Sequence, residues 1–208
     1  MIDELIYLDF RVWYYLNVVG HNAFLDAVVP YLRNQWTWAP LYLFLLLFMT
    51  GNFKRKGWMW CVFFLLTFAL SDHISAAILK PIFQRVRPCN NPYLEGIVHN
   101  IVPCGGGYSF PSSHAANHFS LAIFSAVSLQ HIVKRIWIVA LAWAILVSYA
   151  QVYVGVHFPL DVFCGGILGA IIGCLTGLLY NRIYKLNYPQ RARPLDDKKD
   201  SSSLTEVS

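Results

Sequence analysis

Charge is scarce in this chain. Asp, Glu, Lys and Arg make up 13% of its residues, against 57% hydrophobic ones, a balance too apolar for most soluble domains. The net charge of +5 is not a nucleic-acid signature, because the cations sit mostly at the ends of apolar runs and form no basic face. No internal repeat is visible, which sets solenoids aside. A cleavable signal peptide is not expected either. Residues 1–20 carry Asp3, Glu4, Asp9 and Arg11 and lack a clean apolar core followed by a small-residue cleavage site. Gly105-Gly106-Gly107 has the look of a phosphate loop, but no Gly-Lys-Ser/Thr follows, so a P-loop is excluded.

What is present is long apolar sequence with aromatic ends. Spans are predicted at 36–50, 58–79, 113–132, 136–155 and 160–181. Trp36, Trp38, Trp58, Trp60 and Trp137 lie near span ends, as interfacial anchors do. Residues 5–19 mix aromatics with charges and read as an interfacial helix, with 23–33 a second short surface helix. A sixth span built from this N-terminal region stays open. The expected fold is therefore all-α, a polytopic membrane bundle of five or six transmembrane helices with an N-terminal interfacial helix. Residues 1–188 form a single membrane-embedded domain, and the polar, Ser-rich 189–208 reads as a disordered cytoplasmic tail.

The positive-inside rule sets an orientation. With five spans, Lys54, Arg55, Lys56, Lys134, Arg135, Arg182 and Lys185 all fall on one side, which should be the cytoplasm. The 80–112 loop and the 155–160 turn then face outward.

Three polar clusters interrupt the apolar sequence, and polar groups are costly there unless paired. Lys80, Arg85 and Arg87-Pro88 end the second span. Cations beyond a span on the outer side run against the charge bias, which favours an anion-binding role over snorkelling. Pro111-Ser112-Ser113-His114 precedes an apolar run, so one serine is a natural N-cap, and the free amides of such a helix start bind anions. Gln151, His157 and Asp161 form the third cluster. The i,i+4 spacing places His157 and Asp161 on one helix face, where the carboxylate can fix the imidazole tautomer.

Taken together, Lys80 with six residues to Arg87-Pro88, then Pro-Ser-x-His, then Gln151 to His157 to Asp161, resemble the type 2 phosphatidic acid phosphatase superfamily. The resemblance covers 80–161 in motif and roughly 36–181 in span layout. It implies that Lys80 and Arg87 bind phosphate oxygens, with Ser112 and the amides of Ser113 and His114 completing the cradle. It also implies that His157 is the nucleophile, that Asp161 orients it, and that His114 is the general acid. No metal or cofactor is implied, since cations and a helix dipole supply the charge stabilisation. The implied partners are the bilayer and a membrane lipid phosphate. The implied setting is a bacterial inner membrane, and the charge bias then has the site facing the periplasm or cell exterior.

Two positions depart from the family pattern. Ser113 stands where glycine is usual, and Gln151 where arginine is usual. Gln151 can still bind phosphate by donating one hydrogen bond but brings no charge, and Arg85 is the expected compensation. Undecaprenyl diphosphate is the expected substrate, with lipid A phosphate and phosphatidylglycerophosphate as rivals. A lipid phosphotransferase, or a lipid binder with weak catalysis, remains an alternative.

The remaining features read as structure. Cys89 and Cys104 in the outer loop are either two free thiols or a disulfide closing about 15 residues, worth roughly 3 kcal/mol. His114 and His118 are spaced for a metal pair but lack a third ligand, so they read as a polar face lining the site. Asp72 either supports Lys80 or ties helices together. Gly165, Gly169, Gly173 and Gly177 mark a close helix contact.

Overall fold

The computed structural model describes residues 2–186, so the expected tail at 189–208 lies outside the described residues. Every regular element within them is helical. α1 (Ile2–Tyr14) runs into a π-helical turn at Tyr15–Val19, and α2 (Ala23–Arg33) follows with Asn22 as its N-cap. α3 (Ala39–Asp72) continues through a π-helical segment, His73–Leu79, into the short α4 (Lys80–Phe83). α5 (Ser113–Leu129), α6 (Ile136–Tyr153) and α7 (Pro159–Tyr184) complete the bundle.

α3 is a hairpin. Its helical dihedrals break at Lys54 (φ 48°, ψ −125°), between Gly51 and Gly57, where the sequence turns polar. The arms 39–53 and 55–72 fold onto each other, with Tyr42 against Phe64 at 6.2 Å between ring centroids. Gly57 lies directly on the Met49 carbonyl, where any Cβ would collide. Among the described residues, three segments are long and apolar enough to cross a membrane: Gln35–Phe83, which contains this hairpin, Ile136–Tyr153 and Pro159–Tyr184.

α5 is the central helix, packed against α3, α6 and α7 and buried along most of its length by small residues such as Ala115, Ala116, Ser120 and Ala122. Polar side chains lock the packing from the α3 side. Trp60 Nε1 donates to Ser128 Oγ (2.7 Å), Thr67 to Thr176 (2.8 Å) and Asn117 to Asp72 (2.9 Å). Asp72 thus ties α3 to α5. On the α7 side the seam is glycine. A Cβ on Gly165, Gly169 or Gly173 would strike the carbonyl of Ser112, Ala116 or Ser120 in turn. This stepwise backbone contact brings the start of α5 to the start of α7, where Ser112 N donates to Asp161 O at 2.9 Å.

The bundle has a polar end and a basic end. The Lys54–Lys56 turn meets the end of α7, with Lys56 Nζ donating to Lys185 O and Tyr180 Oη to Lys56 O. The 80–112 segment and the α6–α7 turn lie at the other end. There Asn17 clamps the 80–112 segment to α6, donating to the carbonyls of His99 (2.8 Å) and Tyr153 (2.6 Å). Asp26 fixes α2 to the same region by accepting from Tyr153 Oη (2.6 Å) and His99 Nε2 (3.0 Å). Cys89 and Cys104 are joined by a disulfide, with 5.9 Å between their Cα atoms.

Candidate active site

The site forms at the N-terminus of α5. Ser112 caps this helix, accepting from Ala115 N (3.4 Å). The first amides of the helix, Ser113 and His114, have no carbonyl one turn behind them to bind. Together with the helix dipole they make an anion seat. Two cations face it, Lys80 from the start of α4 and Arg87 from the loop after it. Arg87 is buried and donates to the carbonyls of Val156 (3.2 Å), Gly107 (3.3 Å) and Gly106 (3.5 Å). Lys80 Nζ donates to Tyr108 O (3.1 Å). The glycine run after Cys104 is therefore a set of carbonyls lying across the cations.

His157 comes from the turn between α6 and α7, and its ring is 2% exposed. The expectation of His157 and Asp161 on one helix face needs correction. Pro159 opens α7 two residues after His157, so the histidine precedes the helix, and its Nδ1 stands 3.6 Å from Asp161 Oδ2. Ser109 closes that gap. Its Oγ lies 3.2 Å from His157 Nδ1 and makes a very short contact with Asp161 Oδ2.

This arrangement fixes the tautomer. Arg87 Nη1 lies 3.2 Å from His157 Nε2. A guanidinium can only donate, so Nε2 is bare and the ring proton is on Nδ1. Nδ1–H donates to Ser109 Oγ, whose own proton goes to Asp161. The lone pair a nucleophile needs is thus on Nε2, toward Arg87. Burial holds the imidazole neutral, pulling its pKa down to about 4; Asp161 opposes this, and the charges of Arg87 and Lys80 reinforce it.

Asp161 is fully buried and satisfied from several sides. Its Oδ2 also accepts from Phe158 N (2.8 Å), as the capping carboxylate of α7, and its Oδ1 accepts from Arg85 Nη1 (2.6 Å). Arg85, the cation expected from the sequence to compensate at phosphate, is paired in the structure with two carboxylates. Its other nitrogen, Nη2, binds Asp9 at 2.6 Å, and its guanidinium stacks 4.2 Å from the Phe158 ring centroid. This side chain pins α1 to the α7 start, where Asp9 also accepts from Leu160 N (2.7 Å).

Gln151 is buried beneath the site. Its carbonyl accepts from His157 N (3.2 Å) and Val156 N (3.3 Å), while neither side-chain amide atom has a hydrogen-bond partner among the described residues. His114 lies within electrostatic range of His157, Arg33, His118 and Lys80. His118 donates from Nδ1 to His114 O (2.8 Å), so it supports the helix backbone. No group of three His, Cys, Asp or Glu side chains spaced for a metal occurs among the described residues.

A cavity of about 550 Å³ opens from this end between the α3 arms and α5. Ser113, His114, Asn117 and His118 form its polar floor, and Leu43, Leu46, Leu65 and Phe68 form walls that reach the outer apolar surface of the bundle.

Ser109, Asp9 and Arg33 were not singled out by sequence. Ser109 carries only the signal of standing three positions before Ser112. Asp9 is a carboxylate inside an apolar surface helix, which is itself a cue.

Residues 58–185 match the PAP2 superfamily. The chain is 33% identical over 172 residues to the lipid A 4'-phosphatase of Bacteroides thetaiotaomicron, covering 81% of this chain and 75% of that protein. It is 30% identical over 163 residues to the undecaprenyl-diphosphatase of Sulfolobus acidocaldarius, covering 77% and 71%. Its fold is similar to the crystal structure of a transmembrane PAP2-type phosphatidylglycerolphosphate phosphatase from Bacillus subtilis. The TM-score is 0.70 at 24% identity, over 88% of this chain and 90% of that one.

Proposed function

The chain belongs to the PAP2 superfamily, and on that footing we propose that it is an integral-membrane lipid phosphatase working through a phosphohistidine. In the first step His157 Nε2 attacks phosphorus and the bond from phosphorus to the leaving oxygen breaks. His114 gives that oxygen a proton. Water then attacks the phosphohistidine and passes a proton to His114. The N–P bond breaks, its electron pair returns to Nε2, and inorganic phosphate departs. Lys80, Arg87, Ser112 and the amides of Ser113 and His114 hold the non-bridging oxygens and stabilise the charge that builds on them. Arg87 exchanges its contact with Nε2 for a phosphate oxygen as the nucleophile engages.

The observation that carries this reading is the ordered chain Arg87, His157, Ser109, Asp161, which leaves the imidazole neutral and bare at Nε2. The reading also has five crossings, the basic end in the cytoplasm and the site facing out of a bacterial inner membrane, in keeping with the separation of Lys54–Lys56 from the site.

The substrate we favour is undecaprenyl diphosphate. A second reading, lipid A 4'-phosphate, is supported by the name of the relative that is 33% identical. The test is phosphate release by purified protein in detergent with EDTA present, from each lipid, beside a His157→Ala control. Release that persists in EDTA and disappears in the control supports the mechanism. Release by the control protein, or an alkali-labile rather than alkali-stable phosphoenzyme, would overturn it.

A further inference from the structure

Arg33 ends α2 and lines the cavity together with Ser113 and His114. Its position is firmly held, because Asp26 on the same helix binds Tyr153 and His99, and Leu32 O accepts from Trp38 Nε1 at 2.8 Å. Arg33 has no carboxylate partner among the described residues, and its Nε is buried without a hydrogen-bond partner. Burial lowers its pKa, and its positive charge also bears on Arg87. A guanidinium placed this way is costly unless an anion joins it.

Its place relative to the two histidines defines which anion. Arg33 lines the same cavity as His114, whereas His157, Lys80 and Arg87 are not among its lining residues. The proposed mechanism, on which this step rests, puts the attacked face of phosphorus at His157 and the leaving oxygen at His114. Arg33 therefore sits on the leaving-group side.

We infer that Arg33 holds a second, non-transferred phosphate directly attached to the leaving oxygen, and so selects lipid diphosphates over lipid monophosphates. In a diphosphate the terminal phosphate occupies the cradle and the inner one reaches Arg33. A lipid monophosphate places only carbon there. This cation acts on a different phosphate from the arginine that Gln151 replaces, so it does not restore that contact.

Farnesyl diphosphate and farnesyl phosphate share one tail and separate the two cases. Their affinities would be measured by calorimetry in micelles, for His157→Ala protein with and without Arg33→Gln. The expected result is a loss of tenfold or more on the diphosphate that is at least fivefold larger than the loss on the monophosphate. Retained monophosphate binding then shows that the variant folds. Arg33→Lys should recover part of the diphosphate affinity. Equal losses on both ligands would place Arg33 in the cradle or the scaffold, and unchanged affinity for both would remove it from the site; either result overturns the inference. Absence of turnover by the protein with His157 intact would sink the phosphatase reading alone, because the binding comparison does not depend on chemistry.

Discussion

The hydroxyl of Ser109 stands between His157 and Asp161, 3.2 Å from the imidazole Nδ1 and in short contact with the carboxylate. The carboxylate itself is 3.6 Å from the ring. The orienting group in the site is therefore a serine backed by an aspartate. Replacing Ser109 by alanine should lower kcat by about a hundredfold, the lower end of general acid–base effects, with KM nearly unchanged. Steady-state kinetics on farnesyl phosphate would check this. A change confined to KM would mean that Ser109 shapes the cradle and does not orient the nucleophile.

The pH dependence of His157 has a definite sign. Its folded value of about 4 lies below the ordinary 6.5. The neutral ring thus contributes stability that is fully present above pH 6.5 and is lost as pH falls toward 4. The nucleophile should stay unprotonated through the mildly acid range. Histidine ¹⁵N NMR in micelles should show a ring neutral at pH 5 whose signal is missing in His157→Ala. If the signal assigned to His157 in this way titrates near 6.5, the buried geometry is contradicted.

Arg85→Ala should separate stability from phosphate affinity. It leaves Asp9 and Asp161 buried without their shared cation. Because the Arg85 side chain is a quarter exposed, the cost is screened to about 2 kcal/mol, or about 5 °C in Tm. Inhibition by inorganic phosphate should shift less than threefold, whereas Arg87→Ala should weaken it by tenfold or more. A matching loss of phosphate inhibition in both variants would return Arg85 to the cradle.

Gly169→Leu should disrupt the α5–α7 seam, where even a Cβ meets the Ala116 carbonyl. Overpacking costs about 1–3 kcal/mol, and it should pull Ser112 from Asp161. Thermal melts and activity should fall together. An active variant with unchanged Tm would show that the seam yields.

Opening the Cys89–Cys104 disulfide should cost roughly 3 kcal/mol by the chain-entropy estimate. It also frees the segment that carries Gly106, Gly107 and Ser109 over Arg87 and His157. A Cys89→Ser, Cys104→Ser protein should lose kcat and Tm together, and dithiothreitol should mimic it. An unchanged kcat would show that the loop is held by Ser109 N donating to Arg85 O (2.7 Å) without help from the bridge.

What was legible in the sequence was what costs energy in an apolar chain. Lys80, Arg87, Ser112, His114, His157 and Asp161 stood out because charge and hydrogen-bonding capacity are expensive to bury, and their spacing fell at helix ends. The spans were legible from length, and the hairpin from the polar interruption around Lys54. Asp9 and Ser109 were not, because each acts through a long-range contact, and Arg33 was not, because it reaches the cavity only once α2 is packed on the bundle. Asp9 meets Arg85 across 76 positions of chain, and no local pattern encodes that meeting. The pairing of Arg85 with Asp9 and Asp161 was illegible for the same reason: its partners were invisible until α1 was placed.

The cavity between the α3 arms and α5 has walls that continue into the outer apolar surface. A lipid reaching His114 by that route never passes through bulk water. The concentration that governs encounter is then the mole fraction of substrate within the sheet of lipid. Catalysis becomes a two-dimensional search, diluted by neighbouring lipids rather than by solvent volume. Added inert detergent at constant total substrate should slow the reaction, and the dephosphorylated lipid should return to the same leaflet it came from.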